Sequence, residues 1–169
     1  MSKQAFLSAV AVCGLSLVLG AGCASDDATK LTPTGPGGEP ISSVMPERDK
    51  LGEKILNHPL QSQTIYFEYD SAQIRDSETA KIQTAAKYLI ENGAIKAEME
   101  GHCDERGSTE YNLSLGERRA QAVRAKLAGM GIDGSRLYTK SYGKEKPVEA
   151  GHDESAWSKN RRVEFALYK

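Results

Sequence analysis

Four short segments of this chain have the residue pattern of β-strands: residues 64–69, 94–101, 137–142 and 162–168. They are rich in aromatic and β-branched residues or alternate apolar with polar side chains, as strands do. In the segment 94–101 the alternation places Glu98 and Glu100 on the side opposite its apolar residues. This pattern predicts a half-buried strand, with both carboxylates facing solvent.

Between the first two of these strands, apolar residues recur at the 3.6-residue period of an amphipathic helix. Asp76 or Ser77 is placed to cap the start of this helix, and Gly93 is placed to end it. Its predicted buried positions are Ile82, Ala85, Ala86, Leu89 and Ile90.

A second helix is predicted over residues 112–128, followed by Gly129 and Gly131. Two starts fit the pattern: Asn112 as the cap, or Ser114 forming a capping box with Glu117. The element order is therefore βαβαββ. Strands joined through helices need crossover connections, so the fold class is α+β, with helices packed on one face of a mixed β-sheet.

The first part of the chain has a different composition. Residues 5–19 form an apolar run that follows Lys3 and is too short to span a bilayer comfortably, which is typical of an export signal. The small residues before Cys23 resemble the lipobox of bacterial lipoproteins, although Gly20 stands where leucine is usual. This resemblance implies a signal peptide over residues 1–22, acylation of Cys23, and, from Ala24, an outer-membrane destination. The alternative is a soluble secreted protein that is cleaved nearby.

Residues 23–46 are rich in Asp, Thr, Ser, Gly and Pro, with few apolar side chains to bury. That composition predicts a disordered tether between the lipidated N-terminus and a folded domain over residues 47–169. With Cys13 in the signal and Cys23 modified, only Cys103 remains as a thiol, so no internal disulfide is expected.

Charge narrows the choice of partners. The chain has 22 Lys and Arg against 23 Asp and Glu, a formal net charge of −1. A nearly neutral chain has no general electrostatic attraction for a polyanion, so we expect no nucleic-acid partner.

Arg119 stands out in the second helix, because it projects close to the centre of the stripe formed by Leu115, Val123 and neighbouring apolar residues. A charge in that position needs a partner. Asp104, which follows the predicted strand 94–101, is placed near the start of this helix. Three alternatives are open: Arg119 extends past the core to solvent, it forms a structural ion pair with Asp104, or the two are the opposite charges of a site for a ligand that carries both.

Several ordered motifs carry a resemblance to a known family. They are Glu68-Tyr69-Asp70, the stretch from Gly101 to Gly107, Tyr111-Asn112, Leu115 to Ala120, Ser141 to Pro147 and Asn160-Arg161-Arg162. Together they resemble the C-terminal domain of outer-membrane protein A, and within that family the peptidoglycan-associated lipoproteins. Residues from about 64 to 169 are covered by the resemblance.

The resemblance implies a peptidoglycan-binding site for the free end of diaminopimelate in the peptide stem. An Asp after the second strand and an Arg in the second helix bind this group in the family, and they fall on Asp104 and Arg119. By the same resemblance Tyr69, Asp70 and Leu115 line the site, and Arg161 is a weaker candidate beside it.

The alternative hypothesis of an enzyme has less support in the sequence than a binding site. His102, Cys103, Asp104 and His152 have the side chains of a metal site or a cysteine hydrolase, but strand alternation separates the first three. Cys103 is expected to be a buried apolar residue, in a position where the family usually has Ala or Thr. We therefore expect no enzyme, no cofactor and no metal ion.

The resemblance implies a lipoprotein that faces the periplasm and links the outer membrane to the cell wall. It further implies partnership with the propeller protein TolB and other components of the Tol-Pal system, with a role in envelope integrity and cell division. The alternative is an OmpA-like wall-anchoring lipoprotein that has no Tol partner.

Overall fold

The computed structural model of this protein describes residues 51–169. The predicted signal peptide, the tether, the lipidation position Cys23 and the first four residues of the predicted domain lie outside this part of the chain. Within residues 51–169, no helix combines the length and the apolar character needed to cross a membrane.

Five strands form one mixed sheet: β1 (Lys54–Ile55), β2 (Ile65–Tyr66), β3 (Lys96–His102), β4 (Leu137–Gly143) and β5 (Arg162–Tyr168). The main order is β1-β5-β3-β4, and the short β2 also pairs with β5. β3 and β4 are parallel, whereas β3 and β5 are antiparallel. The sheet is therefore mixed, as the sequence predicted.

Three α-helices accompany the sheet: α1 (Thr79–Glu91), α2 (Thr109–Gly129) and α3 (Glu154–Asn160). The apolar sides of α1 and α2 and the inward side chains of the strands form one core, which includes Ile82, Leu89, Met99, Val123, Leu127 and Phe165. This layer of two helices on one sheet face confirms the predicted fold class. The short β1 and α3 are additional elements that apolar periodicity did not reveal.

Some predicted boundaries and positions were wrong. Ile90 is 60% exposed, because the buried stripe of α1 ends at Leu89. α2 begins at Thr109, before either predicted start, since the Oγ of Ser108 accepts a hydrogen bond from the backbone N–H of Tyr111. Asn112 is consequently a buried residue inside the helix and does not cap it.

The predicted first strand, residues 64–69, pairs as a strand only at Ile65–Tyr66. The chain then leaves the sheet edge, and Asp70 has a positive φ of 51°. This departure turns residues 68–71 toward the start of α2, where they contribute to the site described below.

α2 lies very close to β3, at a contact made by two glycines. A Cβ placed on Gly101 would lie 2.0 Å from the carbonyl oxygen of Gly116, a distance that no side chain tolerates. A Cβ placed on Gly116 would lie 2.3 Å from the hydroxyl oxygen of Ser141. The missing side chains let the helix backbone rest on the sheet, which sets the distance from the end of β3 to the start of α2.

The opposite face of the sheet is covered by neither α1 nor α2, yet two of its carboxylates are buried. Glu98 and Glu100 were expected to face solvent, but only 1% and 9% of their surfaces are exposed. The hydroxyl group of Tyr168 donates to Glu98, and that of Tyr142 lies 3.4 Å from Glu100. Burial and the nearby Glu98 raise the pKa of Tyr168 to about 12. Tyrosine side chains thus cover this face in place of a helix.

Candidate functional site

A cavity of about 250 Å³ opens where β3 ends and α2 begins. Five of the six site residues proposed from the sequence line it, namely Tyr69, Asp70, Asp104, Leu115 and Arg119. Residues from three separate parts of the chain therefore meet at one cavity. Arg161, the sixth residue, does not line the cavity, but its guanidinium group contacts the carboxylate of Asp104.

Asp104 is 4% exposed and is held by two guanidinium groups. Arg106 donates to both carboxylate oxygens, from Nε at 3.2 Å and from Nη2 at 2.6 Å. Nη1 of Arg161 lies 3.4 Å from Oδ2. Burial by itself raises the pKa of Asp104, but the hydrogen bonds from Arg106 outweigh it, and the pKa lies below its ordinary value. Asp104 is therefore ionised at neutral pH.

Arg119 is completely buried, and its guanidinium group donates to three backbone carbonyls. Nε binds Ser71 at 2.8 Å, Nη1 binds His102 at 2.9 Å and Nη2 binds Glu68 at 3.0 Å. Burial lowers the pKa of Arg119, but a guanidinium group stays protonated in proteins. The arrangement ties the segment 68–71 to the end of β3 with a positive charge beside the cavity.

Arg119 and Asp104 are not an ion pair with each other, which was the structural alternative. Each binds other groups, and the cavity lies between them. Nη1 of Arg119 also lies 3.4 Å from Sγ of Cys103, so four of its five N–H groups have partners. A two-bond grip on a carboxylate would therefore require Arg119 to release one of these partners, either a backbone carbonyl or the Cys103 sulfur.

The remaining lining residues differ in character. Tyr69 is 59% exposed at the cavity mouth, whereas Leu115 is buried and forms an apolar part of the wall. The carboxylate of Asp70 accepts a hydrogen bond from the hydroxyl group of Tyr111. That bond raises the pKa of Tyr111. Asp70 adds a second negative charge at the mouth.

Arg106 is an ordered part of the site, although its side chain is partly exposed. Its guanidinium carbon lies 4.0 Å from the ring centres of both Tyr69 and Trp157, so the group is sandwiched between two aromatic rings. Asn112 holds the backbone of the same loop by donating to the carbonyl oxygen of Arg106 at 2.9 Å. The signal available in the sequence was the combination of Arg106 with the single tryptophan of the chain.

Of the four residues considered for a hydrolase, only Cys103 and Asp104 share a cavity, and neither histidine lines it. Cys103 is buried, its thiol donates to the carbonyl oxygen of Asn112, and burial raises its pKa. Cys103 and Asp104 line the same cavity, contrary to expectation, because β3 ends at His102 and strand alternation does not continue past it. The ring of His152 binds Glu105, which is exposed at the surface.

Comparison with known proteins identifies the family. Residues 66–161 match the model of the OmpA family. The peptidoglycan-associated lipoprotein of Haemophilus influenzae is 48% identical over 115 residues, covering 68% of this chain and 75% of that protein. The one from Agrobacterium fabrum is 40% identical over 172 residues, covering 99% and 91%.

A solved structure agrees with these matches. The crystal structure of the peptidoglycan-associated lipoprotein from Burkholderia pseudomallei superposes with a TM-score of 0.60 at 41% identity, over 62% of this chain and 88% of that one. The names of these relatives describe an association with peptidoglycan and not a reaction. It belongs to the OmpA family and, within it, to the peptidoglycan-associated lipoproteins.

Proposed function

We propose that the cavity between Asp104 and Arg119 binds the distal amino-acid centre of diaminopimelate in the peptidoglycan stem peptide. The observation that carries the proposal is that a buried anion and a buried cation line one cavity without neutralising each other. The distal centre of diaminopimelate has an ammonium and a carboxylate group on one carbon. A site with both charges at fixed positions discriminates in favour of such a ligand.

The two ligand charges have distinct partners in this proposal. The ammonium group binds Asp104, with Asp70 as a second negative group at the mouth. The carboxylate group binds the remaining N–H of Arg119 Nη2 and lies in the positive field of that residue. Leu115 contacts the aliphatic part of the ligand, and Tyr69 closes the cavity from the solvent side.

In this proposal Arg161 and Arg106 contact the Asp104 carboxylate and do not bind the ligand themselves. Arg161 is 4% exposed and donates to the carbonyl oxygen of Phe67 as well as lying beside Asp104, so it holds the carboxylate in position. Arg106 occupies both carboxylate oxygens. Because the ammonium group needs one of those oxygens, Arg106 shifts when the ligand binds.

A chain that binds peptidoglycan through its folded domain and a membrane through its N-terminus links the membrane to the cell wall. We infer that Cys23 is acylated, that residues 1–22 are the removed signal and that residues 23–46 tether the domain to the outer membrane, facing the periplasm. Several acyl chains at about 0.8 kcal/mol per buried CH₂ make such an anchor long-lived. The relatives carry the word lipoprotein in their names, which supports this inference.

We further infer a place in the Tol-Pal system, with TolB as a direct partner and a role in envelope integrity and division. The support is the membership in the peptidoglycan-associated lipoproteins. Co-purification of the full chain with TolB tests this part, and its failure would favour an anchoring lipoprotein that has no Tol partner.

Retention on purified sacculi tests the binding proposal. Asp104→Asn preserves the shape of the side chain and removes its charge, and we expect at least about a tenfold loss of retention, since leaving one charge of a buried pair unmatched costs roughly 2–5 kcal/mol. Glu105→Gln is the matched control, because Glu105 is the adjacent acid but points to His152 and Trp157. Thermal melting establishes that both variants are folded. Equal retention of the two would contradict the assignment.

A further inference from the structure

Three side chains with metal-binding atoms converge on the sheet face that α1 and α2 do not cover. Glu100 and His102 lie on β3, two residues apart, and Glu164 lies on β5. One ligand atom from each lies within 4.8 Å of the others. None of the three belongs to the cavity beside Asp104.

The two carboxylates are direct neighbours across the strand pair. Glu100 and Glu164 are partners in the antiparallel register of β3 and β5. Like charges placed directly opposite each other destabilise a sheet. Such a pair is stabilised when a cation lies between the two side chains.

The organic cations nearby use one oxygen of each carboxylate. Nε of Arg162 donates to Oε1 of Glu164 at 2.6 Å, and Nζ of Lys54 lies 3.8 Å from Oε1 of Glu100. The hydrogen bond from Arg162 to Glu164 and the one from Tyr142 to Glu100 both end on Oε1. One oxygen of each side chain is thus available to a further cation.

His102 is the independent indication that a ligand is bound. It is 2% exposed, and within the described part of the chain neither Nδ1 nor Nε2 makes a hydrogen bond. The ring of Tyr142 is stacked on it with the ring centres 5.3 Å apart, and the charged side chains of Arg162 and Lys146 and a backbone group of Lys146 lie close to the imidazole. A buried polar atom without a partner is costly, and the great majority in folded proteins have one. A metal ion supplies that partner for an imidazole nitrogen.

A path from solvent exists on this face. A cavity of about 320 Å³ is lined by Glu100 and Glu164 together with His58 and residues of β1. An ion can therefore reach the two carboxylates from solvent without an opening of the sheet.

We propose that Glu100, His102 and Glu164 bind one divalent transition-metal ion, with zinc as the best match. One imidazole nitrogen and two carboxylate oxygens, completed by water, are a ligand set that zinc accepts in proteins. Calcium and magnesium prefer sets made of oxygen atoms alone. The site is on the sheet face opposite α2, so it is independent of the proposed wall binding.

Equilibrium dialysis against Zn²⁺ tests the proposal on the full chain, purified in detergent and first stripped of metal with a chelator. We expect one zinc per chain for the wild type and at least a tenfold weaker affinity for Glu164→Gln and His102→Asn. Glu98→Gln and His152→Asn are controls for a buried carboxylate on the same strand and for an exposed histidine. We expect both to bind like the wild type.

The visible absorption spectrum of the Co²⁺-loaded protein adds a structural readout, since Co²⁺ with a low coordination number gives intense visible bands. We expect Glu164→Gln to change these bands and Glu98→Gln to leave them unchanged. If His102→Asn does not fold, the zinc affinity of Glu164→Gln tests the proposal, since Glu164 is partly exposed and its replacement is compatible with folding. Absence of stoichiometric zinc, or equal affinity in Glu164→Gln and the wild type, would overturn the proposal.

Discussion

Arg119 and Asp104 line the same cavity, yet Arg119 binds three backbone carbonyls and Asp104 binds two other arginines. The anion and the cation are thereby held in position without neutralising each other. The two residues therefore have different roles, which would not be the case if they formed a single ion pair. Arg119 organises the site by joining residues 68–71 to the end of β3. In the proposed function Asp104 presents the charge that the ligand binds, after displacing Arg106.

Replacing Arg119 should therefore lower stability as well as binding. Arg119→Met leaves the carbonyls of Glu68, Ser71 and His102 without their donor, and we expect a loss of about 3 kcal/mol in the free energy of unfolding. Arg118→Met is the matched control, since Arg118 is exposed on the same helix and should change stability by less than about 0.5 kcal/mol. Urea unfolding measures both. Equal stability of the two variants would show that the carbonyl contacts contribute nothing.

The close contact between α2 and β3 leads to a second prediction about stability. Gly101→Ala forces a methyl group against the backbone of Gly116, and we expect a loss of about 3 kcal/mol, at the upper end for overpacking. Gly129→Ala places the same methyl group at the end of the same helix, where nothing lies within 4 Å. Alanine has the higher helix propensity, so this control should gain about 0.5 kcal/mol. Thermal or urea unfolding that finds no difference between the variants would refute the contact.

Glu78 gives the fold a pH dependence. It is buried and accepts hydrogen bonds from the backbone N–H of Tyr66 at 3.2 Å and from Lys81 at 2.8 Å, which connects β2 to α1. Burial alone raises the pKa of Glu78, but these bonds outweigh it, and the pKa lies below its ordinary 4.5. A carboxylate with a lowered folded-state pKa stabilises the fold above its unfolded-state pKa and loses that contribution as pH falls through the folded-state value.

We therefore expect Glu78→Gln to destabilise the protein by about 2 kcal/mol at pH 7 and by much less at pH 3. Glu91→Gln is the control, because its pairing with Lys87 at the surface is weak. Urea unfolding at both pH values gives the comparison. A difference between Glu78→Gln and wild type that stays constant with pH would contradict the assignment.

The single tryptophan reports on the site. Arg106 is stacked on Trp157 and bound to Asp104, so a ligand ammonium group that displaces Arg106 from Asp104 also changes the surroundings of the indole. We expect a saturable change in Trp157 emission during titration with a diaminopimelate-containing muropeptide, and none with Asp104→Asn. Calorimetric binding without an emission change would mean that Arg106 stays in place.

Local patterns in the sequence were sufficient for the three long strands, β3, β4 and β5, and for the two longer helices, because their apolar periods match the core they form. Local patterns do not reveal structure that is decided by a contact distant in sequence. Glu98 is buried because Tyr168 covers it from another strand. Arg106 is ordered because Tyr69 and Trp157 come from elements far along the chain to enclose it. Periodicity carries no information about such partners.

The site residues divide in the same way. A charge on the apolar stripe of a helix was enough to single out Arg119, but its carbonyl partners depend on the path of residues 68–71 after β2 ends. The family resemblance supplied Tyr69, Asp70 and Leu115, and the structure brings them to one cavity. His102 was considered with the wrong neighbours, because Glu164 approaches it only across the strand pairing.

The most direct test of the central claim compares two stem tripeptides that differ in one group. One carries meso-diaminopimelate as its third residue and the other carries lysine, which keeps the distal ammonium group and lacks the distal carboxylate. Calorimetric titration of the chain should give at least about tenfold tighter binding of the diaminopimelate peptide, because only it engages Asp104 and Arg119 together. Equal affinity for the two peptides would contradict recognition by paired charges.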